Sequence, residues 1–271
     1  MADRTRLSVI VTTYNNDRTL RACLESVRWA DEIVVLDSLS SDDTLVIARS
    51  YNACIKQHPF MGYGPQKQMA LELTSNDWVL LLDADEALSP GLQNEVRRLL
   101  QDGPLVDGYE IPRQEQLFWR MCHPATRMNH FLRLFDKRRG GIDDMPIHAA
   151  PKVQGRIGRL KSLLYHFGET DVHAKVEKIN AYSTGLVKEK LKKERWGIPL
   201  IMIFYPPFFF LRSYFFKRNF LNGWAGFINS VVAAFYVFLK YAKLYEHDQF
   251  AKHGTRLFPE GAPPVPAARQ D

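Results

Sequence analysis

The sequence is poor in cysteine. Cys23, Cys54 and Cys122 are scattered along 271 residues without a C-x-x-C pair. That spacing argues against a disulfide framework or a structural zinc site, and it favours a reducing compartment. A signal-peptide core is lacking too: the short apolar run LSVIV directly follows MADRTR, so the amino-terminal part is expected to stay in the cytosol. The chain contains no P-loop pattern, no H-E-x-x-H and no G-x-S-x-G. P-loop nucleoside triphosphatases and the hydrolases those motifs mark are therefore set aside. The first apolar run leads into TTYNN and not into a Gly-rich turn, which disfavours a dinucleotide-binding unit. No clean apolar span of roughly 20 residues, the length a membrane helix needs, is present.

Apolar residues make up 46% of the chain and the net charge is +6. The first value allows a substantial core. The second favours anionic partners such as nucleic acid, phosphorylated substrates or anionic lipid. A nucleic-acid-binding motif is missing, and the aromatics lie in apolar runs instead of among the basic residues of one groove. Nucleic acid is therefore not an expected partner.

The first hundred residues alternate between two periodicities. Leu7–Thr12, Glu32–Leu36, Ala53–Lys56 and Asp77–Leu82 read as strands. Thr19–Trp29, a segment capped by Ser41 or Asp42 and ending near Tyr51, and Pro65–Leu73 read as helices. A further helix reaches about Gln101, with Ser89 as its cap and Pro90 at its first position. Such alternation predicts a parallel sheet covered on both faces, with ligands outside the carboxyl ends of its strands. Thr12–Asn15, Asp37 and Asp83–Asp85 follow three successive strands, so all three strand ends deliver polar groups to one rim.

The stretch LLLDADEAL is the most informative. A strand apolar on both faces runs straight into Asp83, Asp85 and Glu86, although burying an unpartnered carboxylate is costly. Two carboxylates one residue apart after a strand can meet one hard cation, and Mg²⁺ takes one or two carboxylates together with substrate phosphates. The pattern thus predicts a metal–diphosphate site.

Further along, Asp107–Pro112 and Phe131–Asp136 read as strands, Lys137–Gly141 as a turn and Val172–Trp196 as a long helix. The segments IPLIMIFYPPFFFLRSYFF and WAGFINSVVAAFYVFL are intensely apolar and aromatic. Arg212, Lys217 and Arg218 lie among those aromatics, a mixture that suits a membrane–water interface. A buried helical pair or a subunit contact is the alternative. The Pro- and Ala-rich tail is expected to be disordered. Domains are expected at 1–170, 171–250 and 251–271.

LSVIVTTYNN, EIVVLDSLSSDDT and WVLLLDADEAL, in that order, resemble family 2 glycosyltransferases of the GT-A fold. GYGPQKQMAL, HFLRLFDKRRG, MPIH, the helix containing KINAYS and NGWAGFINSVVAAFYVFLKYAK are similar to the bacterial subgroup that adds sugars to the lipopolysaccharide core. The resemblance implies an α/β nucleotide-sugar-binding fold with a mainly parallel central sheet covered by helices, plus a helical apolar appendage. It implies a nucleotide-diphospho-sugar donor, usually a UDP-sugar with Mg or Mn, and a lipid-linked envelope glycan acceptor. The place would be the cytoplasmic face of the inner membrane, with the chain peripheral or monotopic. The C-terminal helices could also join copies into a homo-oligomer.

Thr12, Tyr14, Asn15 and Asp37 match nucleotide-binding positions. Lys67 matches a basic residue near the phosphates or sugar, Asp83 a ribose-side or metal-linked acid, and Asp85 the principal metal ligand. Arg133 is expected to touch the leaving diphosphate or an anionic acceptor, unless it forms a structural ion pair. Inverting members use one acid as base. The subgroup commonly has His-Glu where this chain has His148 and Ala149, which leaves Asp144, Asp143, Glu115 and His148 itself as candidates. His123, His130 and His166 are expected to be structural. Polyprenyl-phosphate sugar transferases share the first three motifs, and the absent glutamate also suits a catalytically silent scaffold.

Overall fold

The computed structural model describes residues 4–143, 150–168, 170–190 and 197–253. It divides into two compact units, one ending at Thr170 and the other beginning at Asp171.

In the first unit, β1 (Leu7–Thr13), β2 (Glu32–Asp37), β3 (Cys54–Gln57) and β4 (Trp78–Asp83) run parallel in the order β3-β2-β1-β4. The helices α1 (Asp17–Val27), α2 (Thr44–Ser50) and α3 (Tyr63–Glu72) connect them. Continuous apolar runs form these strands because both faces are covered. Val9, Val11, Leu80 and Leu82 pack with α1 on one side; Ile10, Val79 and Leu81 pack with Ala70 and Leu71 of α3 on the other. Each such buried Leu or Val contributes about 1.5–3 kcal/mol. The register pairs Thr12 with Asp83 and Thr13 with Asp37, so the three strand ends finish on one rim.

Beyond β4 the sheet is mixed. β5 (Glu86–Leu88), α4 (Pro90–Asp102), β6 (Gly108–Leu117), β7 (Arg120–Met121) and β8 (Asn129–Asp136) follow, then β9 (Gly140–Ile142), β10 (Pro151–Val153), β11 (Ile157–Arg159) and β12 (Leu164–His166). The order continues β4-β8-β6-β12-β5, with β8 antiparallel to both β4 and β6. Parallel pairing governs the first four strands; the chain then folds back from β6 to β8 without a crossover helix. β9 and β10 form a separate hairpin.

In the second unit, α5 (Val172–Lys190) and α6 (Ile198–Leu211) both pack against α7 (Gly223–His253). A π-helical turn over Arg212–Phe216 and a 3-10 turn over Asn219–Asn222 join α6 to α7. Pro206 and Pro207 lie inside α6 without ending it.

Candidate active site

The three acids of LLLDADEAL have three different surroundings. Asp83 ends β4, and its two oxygens face two cations: Lys67 Nζ of α3 at 2.7 Å and Arg133 Nη2 of β8 at 2.9 Å. Asp85 occupies the turn between β4 and β5, with one oxygen 3.3 Å from His166 Nε2 of β12. Glu86 opens β5 and is fully buried. It accepts from Arg133 Nη2 at 2.5 Å, from Arg113 Nη1 at 3.1 Å and from the Asp83 backbone N–H at 3.1 Å. Glu86 is therefore partnered inside the sheet while Asp83 and Asp85 stand at its rim.

The contacts continue. Arg113 stacks over the Phe131 ring at 4.2 Å and donates from Nε to Glu115 at 2.9 Å. The other Glu115 oxygen meets His166 Nδ1. The register of β12 makes this possible, because it sets His166 beside Glu86 on one side and Glu115 on the other. A chain of alternating charge thus leads from Lys67 through Asp83, Arg133, Glu86, Arg113, Glu115 and His166 to Asp85.

Ionisation follows these neighbours. Burial opposes the Asp83 charge, but Arg133 and Lys67 outweigh it and hold the carboxyl well below its usual range. Glu115 is shifted down because His166 and Arg113 outweigh its burial. Burial also disfavours the imidazolium of His166, yet Asp85 and Glu115 raise its pKa to about 9.

The donor set fits a divalent cation. The Asp85 side chain is 31% exposed, and its carboxylate suits Mn²⁺ or Mg²⁺; His166 Nε2 beside it could join only after releasing the proton that Asp85 and Glu115 hold on the ring. Glu115 on the second nitrogen fixes the His166 ring, the outer-shell arrangement that orients metal-binding histidines. Among the described residues, no three of His, Cys, Asp and Glu form a group that could hold a metal by themselves. An ion here would keep positions for water and phosphate oxygens.

Other predicted residues lie on the same rim in different states. Thr12 is partly exposed and Tyr14 presents its ring to solvent. Asn15 has φ +49° and accepts the Ser41 N–H at 2.9 Å, stapling the β1 and β2 ends together. Asp37 is fully buried, with its oxygens taken by the Ser40 N–H (2.9 Å), the Ser40 hydroxyl and Gln57 Nε2 (3.0 Å). One of these oxygens carries a single partner, so Asp37 keeps acceptor capacity at the strand end. Arg133 is buried in the ion pair with Asp83 and Glu86, so the structural alternative describes its position. Asp83, read from sequence as a ribose-side or metal-linked acid, has its two oxygens paired with Lys67 and Arg133.

Asp144 and His148 lie outside the described residues. Asp143, just before that segment, accepts the Ala150 N–H at 2.9 Å. His123 accepts from the Ala125 N–H at 3.1 Å within its own turn, and His130 is exposed on β8. His166, Glu86 and Arg113 are the site residues that sequence reasoning missed. Their meeting depends on the pairing of β12 with β5 and β6, which has no local signature.

Residues 8–152 match the family described as Glycosyl transferase family 2. The lipopolysaccharide core biosynthesis glycosyltransferase LpsC of Rhizobium meliloti is 31% identical over 254 residues, covering 91% of this chain and 94% of that protein. An uncharacterized glycosyltransferase of Rickettsia typhi is 32% identical over 259 residues, covering 89% and 87% respectively. Among solved structures, the mannosyltransferase PcManGT of Pyrobaculum calidifontis, in complex with GDP-Man and Mn²⁺, superposes with a TM-score of 0.50 at 14% identity. It covers 90% of this chain and 88% of that one, and the likeness is one of fold. The ordered strand-end motifs, the mixed sheet and these matches agree: the chain belongs to glycosyl transferase family 2 and is a glycosyltransferase of the GT-A fold.

Proposed function

We propose that this enzyme moves a hexose from a UDP-sugar to a lipid-linked envelope glycan of the lipopolysaccharide-core type. The reaction uses Mg²⁺ or Mn²⁺, inverts the anomeric centre and takes place at the cytoplasmic face of the inner membrane. The observation that carries this reading is the Asp85–His166 pair at the carboxyl end of β4, beside an Asp83 already neutralised by two cations. The name of the LpsC relative supports the acceptor class.

Asp85 and His166 would hold the cation, which when bound offsets the charge of the departing diphosphate. Lys67 and Arg133 keep Asp83 ionised and fixed, so the rim keeps its shape as charge develops. Tyr14, exposed at the rim, would stack on the nucleobase, with Thr12 and Asn15 flanking it and Asp37 accepting from a pyrimidine N–H. The acceptor hydroxyl must lose a proton to a base. Asp144, His148 and Glu115 are the candidates for that role.

Calorimetry of UDP binding with and without Mn²⁺ tests the donor half. The expected result is metal-dependent binding that disappears in Asp85→Asn. Equal, metal-independent binding in both proteins would overturn the assignment. Transfer from radiolabelled UDP-hexoses to a core glycolipid, and not to a polyprenyl phosphate, tests the acceptor half.

A further inference from the structure

The second unit carries an apolar surface that glycosyl transfer does not use. The sequence reading of no clean apolar span is corrected here: Pro206 and Pro207 do not end α6, and Ile198–Phe216 and Asn219–Lys252 form two helices long and apolar enough to cross a membrane. Only 11% and 39% of their apolar windows are buried, whereas a core helix of a soluble fold is mostly covered. At the tip of the hairpin, Phe216 and Trp224 are each 75% exposed.

Three observations say what covers this surface. The first is charge. From Gly197 to Tyr245 the sequence contains Arg212, Lys217, Arg218, Lys240 and Lys243 but no Asp or Glu. Pairing with a second copy would bring like charges together, whereas anionic headgroups complement them. The second is dimension. The 19 residues of Ile198–Phe216 rise about 28 Å at 1.5 Å each, close to the ~30 Å hydrocarbon thickness of a bilayer.

The third is the turn. Hydrocarbon offers no hydrogen bonds, so an inserted turn must satisfy its own polar groups. Asn219 Nδ2 donates to the Ser213 carbonyl at 3.0 Å and to Ser213 Oγ at 3.1 Å. Ser213 Oγ donates to Ser230 Oγ at 3.2 Å, and Ser230 Oγ donates to the Gly226 carbonyl at 2.8 Å. Ser213, Asn219 and Ser230 are all buried. Gly226 lets the lock close, because a Cβ there would lie 1.9 Å from the Asn219 carbonyl oxygen. Arg218, with φ +60°, reverses the chain beside it.

We infer that the α6–α7 hairpin inserts tip-first into an anionic phospholipid bilayer. The hairpin crosses the hydrocarbon with its polar lock sealed inside, so that Phe216 and Trp224 at the tip reach the far interface and Lys217 and Arg218 lie among lipid phosphates there. The inference deepens the membrane-side part of the proposed function. Its test uses no sugar donor, so its failure and the failure of the transfer reaction are distinguishable.

The full chain would be floated with vesicles of phosphatidylcholine alone or mixed with phosphatidylglycerol. Brominated lipids would report the depth of Trp224 by quenching, with Trp224→Phe as the reference. Expected results are flotation with both vesicle types, tighter binding to the anionic ones, and quenching of Trp224 strongest with bromines near the headgroup. Phe208→Trp in the Trp224→Phe background should be quenched by bromines deep in the acyl chains. The double variant Lys217→Gln/Arg218→Gln, which leaves the lock untouched, should bind anionic vesicles on the order of tenfold more weakly and neutral ones unchanged. A chain that stays with the soluble fraction as a dimer, with Trp224 unquenched, would overturn the inference. So would a double variant that binds anionic vesicles as tightly as the native chain.

Discussion

Glu86 is the residue on which the site's geometry depends. It touches no solvent, yet it anchors Arg133, Arg113 and the backbone at Asp83. Glu86→Gln leaves the buried Arg133 and the partly exposed Arg113 short of a counter-charge and is expected to cost about 3 kcal/mol in urea unfolding, since removing one partner of a buried pair is strongly destabilising. The same variant should bind Mn²⁺ about tenfold more weakly, as outer-shell changes at metal sites do. His166→Ala gives a contrasting pattern: Mn²⁺ affinity, followed by the EPR signal of the free ion, should fall by more than tenfold with a smaller loss of stability. Asp83, Asp85 and Asp37 were legible in the sequence because each ends an apolar run. The inward turn of Glu86 was not, since the letters DADE show acids without showing which way each faces. His166 was read as structural because only a register between distant strands brings it to Asp85.

The elements that sequence predicted well are those whose signal is local. Ser89 and Pro90 mark the start of α4, and Ser89 Oγ accepts the Leu92 N–H at 3.1 Å. Ser89→Ala should cost about 1 kcal/mol, readable in the same unfolding assay. The start of α2 was less clear: Asp43 occupies the cap position, while Asp42 accepts the Thr44 N–H at 3.0 Å. The short strands β5, β7 and β9 to β12 escaped sequence reading because two or three residues carry no period. β6 runs farther than its apolar part because Arg113 and Glu115 find partners across the sheet. Glu32, at the start of β2, joins three elements by accepting from the Ser8 hydroxyl of β1 and from the Ser75 N–H and hydroxyl ahead of β4. Burial raises its pKa, but these hydrogen bonds outweigh that and the net shift is downward. A depressed folded-state pKa contributes stability that is present above the unfolded carboxylate value and is lost as pH falls through the folded one. Glu32→Gln should therefore flatten the acid limb of stability against pH, measured by urea titrations from neutral pH downward through the carboxylate range. An unchanged acid limb would show that Glu32 contributes nothing to it.

At the scale of the whole molecule, the net charge of +6 is unevenly placed, with an acid-free stretch from Gly197 to Tyr245 in the second unit and a nearly balanced set of charges at the site in the first. Removal of divalent cations with a chelator should abolish transfer, and Mn²⁺ should restore it; full activity in the chelated enzyme would rule out the metal-dependent reaction. The alternating chain from Lys67 to Asp85 draws its members from α3, β4, β5, β6, β8, β12 and one turn. Exchanging an interior member strands its neighbours on both sides. Energies of substitutions along it will not add: Glu86→Gln combined with Arg133→Gln should cost less than the sum of the two alone, with a coupling of about 0.5–3 kcal/mol. A sequence that diverges here while keeping this fold is expected to change these charges in matched pairs, one exchange compensating the other.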